Sequence, residues 1–299
     1  MNSTNLLSQI FILKDGRKLG FAEYGDLEGI PILYFHGHKS SRLEPKMYDL
    51  NVLHERCRLI AIDRPGFGLS DFKIGNKLLD WPNDIVELIK NLNIDKFTVL
   101  GGSGGGPYVC ACALKIPQHL NTCGIVSGLG PIEFGTEGMN KNNQRELSMA
   151  RKHPKLLEKI YKLQVRFVKK LQGKTIEEIA KTFKKRQGDL PEPDKKLLED
   201  KEKLSLYVEL MSEPLRQGIK GVVHEAKLFA NYWGFDLSEI SSELPVFLWH
   251  GELDNSVPVR MARMVCESIP NCKGKFFPNE GHLSTAINHF NEIIETLIS

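Results

Sequence analysis

Short, mostly apolar runs alternate along the chain with longer stretches of helical spacing. Residues 30–35, 57–62, 97–100, 122–126, 244–250 and 275–277 read as strands buried on both faces, which write as near-continuous apolar runs. Residues 11–13 and 19–24 flank Lys14-Asp15-Gly16-Arg17, a hairpin with Asp-Gly as its turn signal. Helical spacing marks 78–92, through Trp81, Ile85, Leu88, Ile89 and Leu92. It also marks 108–116, 259–269 and 285–298, the last through Ile287, Phe290, Ile293, Ile294 and Leu297. Strands alternating with helices predict an α/β fold, with a mostly parallel central sheet covered by helices.

The alternation stops at about residue 132 and resumes at about 242. Between them the strand-like runs vanish, and helices are expected at 154–171, 175–185, 194–211 and 220–233. In the first of these, Leu156, Ile160, Leu163, Phe167 and Leu171 recur at helical spacing, which marks the block as an inserted helical domain and not a linker, without saying which face points inward. The expected organisation is a core of 1–131 and 242–299 interrupted by a helical insertion at 132–241. Its ends lie at the edge of the sheet where the strands terminate. It should therefore roof that edge, with Phe167, Leu171, Leu210 and Phe229 as candidates for the inward face.

One junction carries chemistry. Gly101, Ser103 and Gly105 fill the pattern G-x-S-x-G between the strand at 97–100 and the helix at 108–116. A nucleophile on a tight strand-to-helix turn needs small neighbours, and the turn leaves the serine Oγ exposed above the sheet edge. Gly104, directly after the serine, would supply one backbone N–H to an oxyanion. A phosphate-cradling loop is excluded by spacing: Pro107 stands where G-x-G-x-x-G needs glycine and where a P-loop needs lysine.

A serine hydroxyl needs a base, and the base needs an orienting carboxylate. His282 and Asp254 supply them, each directly after a strand and so at the same edge as Ser103. Glu252 is a rival acid two residues before Asp254. His289, inside the last helix, is a worse-placed base. Asp254 also has a bland reading as a turn residue, since Asn255, Ser256 and Pro258 follow it.

Composition adds exclusions. The 299 residues carry a net charge of only +3, while residues 151–203 hold 17 Lys and Arg against 9 Asp and Glu. Lysine and glutamate are mixed there and aromatics are not interleaved, so the block reads as a solvated face and no nucleic acid is expected. Cys57, Cys110, Cys112, Cys123, Cys266 and Cys272 form no C-x-x-C pair, and four of them lie in apolar runs. Buried thiols in a reducing, cytoplasmic compartment are the expectation. The first twelve residues lack the basic-then-apolar pattern of a signal peptide, and no run reaches the roughly 20 apolar residues of a membrane span. No H-x-x-x-H or H-E-x-x-H occurs, so no metal is expected, and acyl transfer through a serine needs no cofactor. Nothing in the pattern fixes an oligomeric state.

The order Ser103, Asp254, His282, with G-x-S-x-G after a strand, resembles the α/β-hydrolase superfamily. His36-Gly37 after the strand at 30–35 looks like the family's HG oxyanion loop, and the likeness makes the N–H of His38 the second donor. The run from Asp63 to Ser70 resembles the D-x-x-G-x-G-x-S loop of esterase-like members. His250-Gly251-Glu252-Leu253-Asp254 resembles the H-G-x-x-D that presents the acid, and Gly281-His282 the closing G-H. The helical insertion fits the family's cap domain. His36 and the Asp63 loop are read as structural, whereas the His38 side chain would face the pocket. Ser103 at the nucleophile position excludes the aspartate chemistry of dehalogenases and epoxide hydrolases. Proline-iminopeptidase-like members share the layout but commonly carry a bulky aromatic where this chain has Gly104. The resemblance implies a serine hydrolase acting on a carboxylic ester or similar acyl compound, and the apolar candidates on the insertion's inward face point to a small, largely apolar one. The alternatives are an aminopeptidase, a C–C bond hydrolase, a cofactor-free lyase, or a slow-turnover receptor on the same fold.

Overall fold

The computed structural model describes residues 6–53, 56–185 and 188–299. β1 (Gln9–Ile12) and β2 (Lys18–Gly25) form the antiparallel hairpin, with Gly16 at positive φ in its turn. β3 (Ile30–Phe35), β4 (Cys57–Ile62), α1 (Trp81–Asn91), β5 (Phe97–Gly102), α2 (Gly106–Lys115) and β6 (Leu120–Val126) follow. Six helices come next without an intervening strand: α3 (Lys141–Lys152), α4 (Pro154–Gln172), α5 (Ile176–Lys184), α6 (Glu192–Glu199), α7 (Lys201–Leu210) and α8 (Lys220–Phe229). β7 (Val246–Gly251), α9 (Val259–Ser268), β8 (Cys272–Phe277) and α10 (His282–Ile298) close the chain.

The eight strands form one sheet in the order β1-β2-β4-β3-β5-β6-β7-β8, parallel from β4 to β8 and antiparallel at the hairpin edge. Side chains alternate between its faces with the period of two that a strand imposes. Leu33, Phe35, Ile60, Ile62 and Val99 pack with α1, α2 and α9 on one face. Ile32, Tyr34, Leu59, Ala61 and Leu100 pack on the other with Phe290, Ile293, Ile294 and Leu297 of α10. The chain runs from β3 to β4 on one side and returns to place β5 on the other. The ends of β3 and β5 therefore flank the switch point where open α/β sheets leave a crevice.

The helical segment has small cores of its own. Leu157, Tyr161, Val222, Val223 and Ala226 join α4 to α8, and Leu171, Ile179, Leu198, Leu204 and Val208 join α4 to α5, α6 and α7. The structure goes beyond the sequence reading of this segment in three places. The buried stripe of α4 is Leu157, Tyr161, Val168 and Leu171, whereas Leu156 and Leu163 lie 48% and 59% exposed. Both stripes have helical spacing, and a second layer of helices, not the period, selects between them. The helix expected at 194–211 is broken at Asp200, whose side chain accepts the N–H groups of Glu202 and Lys203 and so starts α7. The polar helix α3 was not expected; it packs through Ala150, with Asn140 as its cap. Cys57, Cys110, Cys112 and Cys123 are buried, and the other two cysteines are partly so. Among the described residues no helix is long and apolar enough to cross a membrane.

Candidate active site

β5 ends at Gly102, and the chain turns through Ser103 with φ at +52°, the left-handed region that a side chain rarely adopts. The turn is possible because its neighbours lack side chains. A Cβ on Gly101 would stand 2.7 Å from the Gly105 carbonyl oxygen, and one on Gly105 would run into the carbonyl of Phe35. Strain at one residue thus lifts the hydroxyl out of the sheet edge, over the start of α2.

Two separate segments bring a histidine and its carboxylate partner to that hydroxyl. His282, the first residue of α10, approaches Ser103 Oγ through Nε2 at 3.0 Å. Its Nδ1 donates to Asp254 Oδ2 at 2.7 Å. Asp254 is 4% exposed and sits in the loop after β7. Its other oxygen, Oδ1, accepts the N–H groups of Ser256 and Val257 at 2.8 and 2.9 Å. Asp254 is therefore a turn residue and a histidine partner at once. His250, buried at the end of β7, binds the Val257 carbonyl at 2.8 Å and steadies the same loop. Glu252 turns outward to an exposed pairing with Arg263, and His289 stacks on Phe277 beside Glu280. Burial pulls the His282 imidazole toward its neutral form, but the Asp254 carboxylate, with Asp194 and Glu44 adding to it, holds the pKa above the ordinary histidine value.

The loop after β3 lies across from the serine. A Cβ on Gly104 would stand 2.9 Å from the backbone nitrogen of His38, so the two backbones approach closely at this point. The Gly37 carbonyl is gripped by His36 Nδ1 at 2.8 Å and Arg64 Nη2 at 3.2 Å. In a trans peptide this turns the following N–H, that of His38, the opposite way. His36 is fully buried, and burial together with the Arg64 charge drives its pKa well below normal. It is a prop, as is Asp63, which accepts from Arg42 and from the Leu69 N–H. Burial lifts the Asp63 pKa to about 6 against the pull of Arg42.

The His38 side chain lines the cavity, yet both its nitrogens are engaged. Nδ1 meets Glu225 at 2.8 Å, while Nε2 meets the Tyr161 hydroxyl and Glu146, each at 3.2 Å. Glu225, on α8, also takes Arg64 Nε at 2.5 Å and the Tyr108 hydroxyl at 3.0 Å. Burial would raise its pKa, but Arg64 and His38 hold it down at about 2. Sequence reasoning missed Glu225, Glu146, Glu44 and Asp194. Each is a charged residue within a helix or loop of mixed charge, where solvated and buried carboxylates look alike. Glu44 joins the Gly37 N–H at 2.8 Å to the hydroxyls of Tyr34 and Tyr48.

A cavity of about 480 Å³ opens above Ser103 and His282. Tyr161, Phe167, Val168, Tyr207, Leu210 and Met211 of the helical segment form much of its wall. Phe167 and Leu210 thus reach it. Leu171 packs inside the helical segment, and Phe229 packs against His38 and Tyr108 in the main core. Among the described residues no cluster of His, Cys, Asp or Glu is arranged to hold a metal.

The sheet order and the loops at its edge define an α/β hydrolase. The chain matches the alpha/beta hydrolase fold family over residues 30–286, and it belongs to that family. It is 30% identical over 115 residues to an uncharacterised hydrolase of Bacillus subtilis, covering 38% of this chain and 39% of that one. It is 32% identical over 110 residues to a candidate proline iminopeptidase of Mycoplasma genitalium, covering 35% and 34%. The chain thus spans well under half the length of these curated relatives. The solved esterase RhEst1 of a Rhodococcus superposes with a TM-score of 0.68 at 19% identity, over 97% of this chain and 98% of that one.

Proposed function

We propose that the protein is a serine hydrolase that cleaves a small, largely apolar carboxylic ester through an acyl-enzyme. The observation that carries this reading is the unbroken relay from Ser103 Oγ to His282 Nε2 at 3.0 Å and from His282 Nδ1 to Asp254 Oδ2 at 2.7 Å. Ser103 Oγ attacks the ester carbonyl while His282 takes its proton. The charge that develops on the carbonyl oxygen is met by the N–H groups of His38 and Gly104. The tetrahedral intermediate expels the alcohol, which takes the proton from His282. Water, activated by the same imidazole, then releases the acid and frees Ser103. Asp254 fixes the imidazole tautomer and stabilises its charged form.

Residues 132–241 act in this reading as a cap that roofs the serine and sets substrate size. Its contribution of Phe167, Val168 and Leu210 to an otherwise confined cavity supports a small, apolar acyl or alcohol group. The test is turnover of a panel of p-nitrophenyl esters of increasing chain length. Short and medium esters should be cleaved and Ser103→Ala should be inactive with native circular dichroism. Phe167→Ala combined with Leu210→Ala should move the preferred chain length upward. Turnover by Ser103→Ala at the wild-type rate would remove the nucleophile from this account.

A further inference from the structure

Asp194 lies on α6, outside the sheet, and is fully buried. Its Oδ2 accepts the backbone N–H of His282 at 2.9 Å, and its Oδ1 accepts those of Leu283 at 3.1 Å and Ser284 at 2.9 Å. These are the first three N–H groups of α10, which a helix cannot satisfy from within. The seat fits closely: a Cβ on Gly281 would stand 2.7 Å from the Asp194 carboxyl carbon and from both its oxygens. Among the described residues no Lys, Arg or His side chain forms an ion pair with this carboxylate. A buried carboxylate without a cation is held by hydrogen bonds to backbone N–H groups and by the positive end of the helix.

We propose that Asp194 is a positioning residue for His282, through which the helical segment fixes the start of α10 and readies the imidazole for reaction only while α6 is seated. The proposal rests on the reading of His282 as the base. The anchored N–H is that of His282 itself, so release of Asp194 frees the backbone that carries Nε2 to Ser103. Misplacement of a catalytic group by about 1 Å can cost on the order of 10²-fold in rate. The carboxylate also acts through charge. The groups facing His282 are Asp254 and His250 from β7 and its loop, Glu44 from the loop after β3, and Asp194 from α6. Burial opposes the imidazolium; Asp254 favours it most, and Asp194 and Glu44 add to that. Burial raises the pKa of Tyr207 of α7, and the charges of Glu44 and Asp194 add to it. Of the carboxylates facing His282, Asp194 is the one that comes from the helical segment.

Asp194→Asn keeps the shape, removes the charge and turns an NH₂ group toward one of the three N–H donors. It should lower kcat on a short p-nitrophenyl ester by about 10- to 100-fold with KM little changed. The acid limb of the pH–rate profile should move to lower pH, and the NMR titration of the His282 Cε1 proton should move the same way. Gly281→Ala, which forces the carboxylate from its seat, should reproduce the kcat loss even if Asp194→Asn folds poorly. The double variant should lose little more than the worse single one, since the two act on one contact. A kcat loss with an unmoved limb and fully additive variants would reduce Asp194 to a structural cap, and unchanged kcat in both singles would overturn the proposal outright. The NMR titration needs no turnover. Failure of this inference is therefore distinguishable from failure of the hydrolase reading, which Ser103→Ala tests separately.

Discussion

The sheet and the helical segment over it reach the site by different means. From the sheet come geometry and close approach: parallel strands that end at one edge, glycines that let backbones touch, and a serine held at φ +52°. From the helical segment come charged side chains. Glu146 and Glu225 bracket His38, and Asp194 holds the backbone of His282. Neither contribution stands in for the other. Backbone contacts fix where atoms sit within a few tenths of an ångström, whereas buried carboxylates fix which groups are charged there. The sheet loops are thus expected to carry the reacting groups, and the helical segment to hold His282 in place through Asp194, to add to its protonation balance and to set access and fit.

The largest expected effect tests the sheet side. Asp254→Asn should lose on the order of 10⁴ in kcat, because the amide supports the wrong imidazole tautomer. Glu252→Gln, whose parent carboxylate faces Arg263 at the surface, should leave kcat nearly unchanged. A steady-state comparison of the two checks this, and a greater loss at Glu252 would transfer the acid role to it.

Next comes the joint between the regions. Glu225→Gln removes one partner of the buried Arg64 pairing and leaves that guanidinium with less compensation. About 3–5 kcal/mol of stability should be lost in denaturant unfolding, the usual cost of breaking a buried ion pair from one side. The same variant should lower the His38 pKa, which Glu146 and Glu225 together hold up against burial.

Within the helical segment, Leu157→Ala should cost about 2–5 kcal/mol and Leu163→Ala, on the exposed face of the same helix, no more than about 0.5. Equal losses in thermal unfolding would mean that α4 is seated on its other stripe.

The pH response has a defined sign. Asp254 raises the His282 pKa above the ordinary value near 6.5 despite burial, and in the proposed mechanism the neutral imidazole is the base. As pH falls through that raised pKa, kcat/KM should drop about tenfold per unit. Stability runs the other way. The pairing contributes fully below the unfolded-state value and is lost as pH rises through the folded one. A profile flat from pH 8 to pH 6 would take His282 out of the base role.

The strands were legible because burial on both faces leaves short, near-continuous apolar runs. Residues 30–35 and 57–62 coincide with β3 and β4. The reactive loops were legible because glycine, serine and histidine directly after a buried strand are few. The α4 face was not, since its two candidate stripes have the same period and only the packing of α8 chooses between them. Asp194 was hidden by its own position: an acidic residue beside Pro193 in a first turn reads as support for its own helix, while its side chain serves another one 88 residues away. Glu225 looks in sequence like the solvated glutamates around it, and its burial against Arg64 is a tertiary fact.

The most direct test of the central claim is covalent. The intact protein is labelled with a small fluorophosphonate, digested and mapped by mass spectrometry. The expected result is a single adduct on Ser103, absent in Ser103→Ala and formed far more slowly in Asp254→Asn. An adduct on any other residue, or none at all on protein that still hydrolyses esters, would contradict the account.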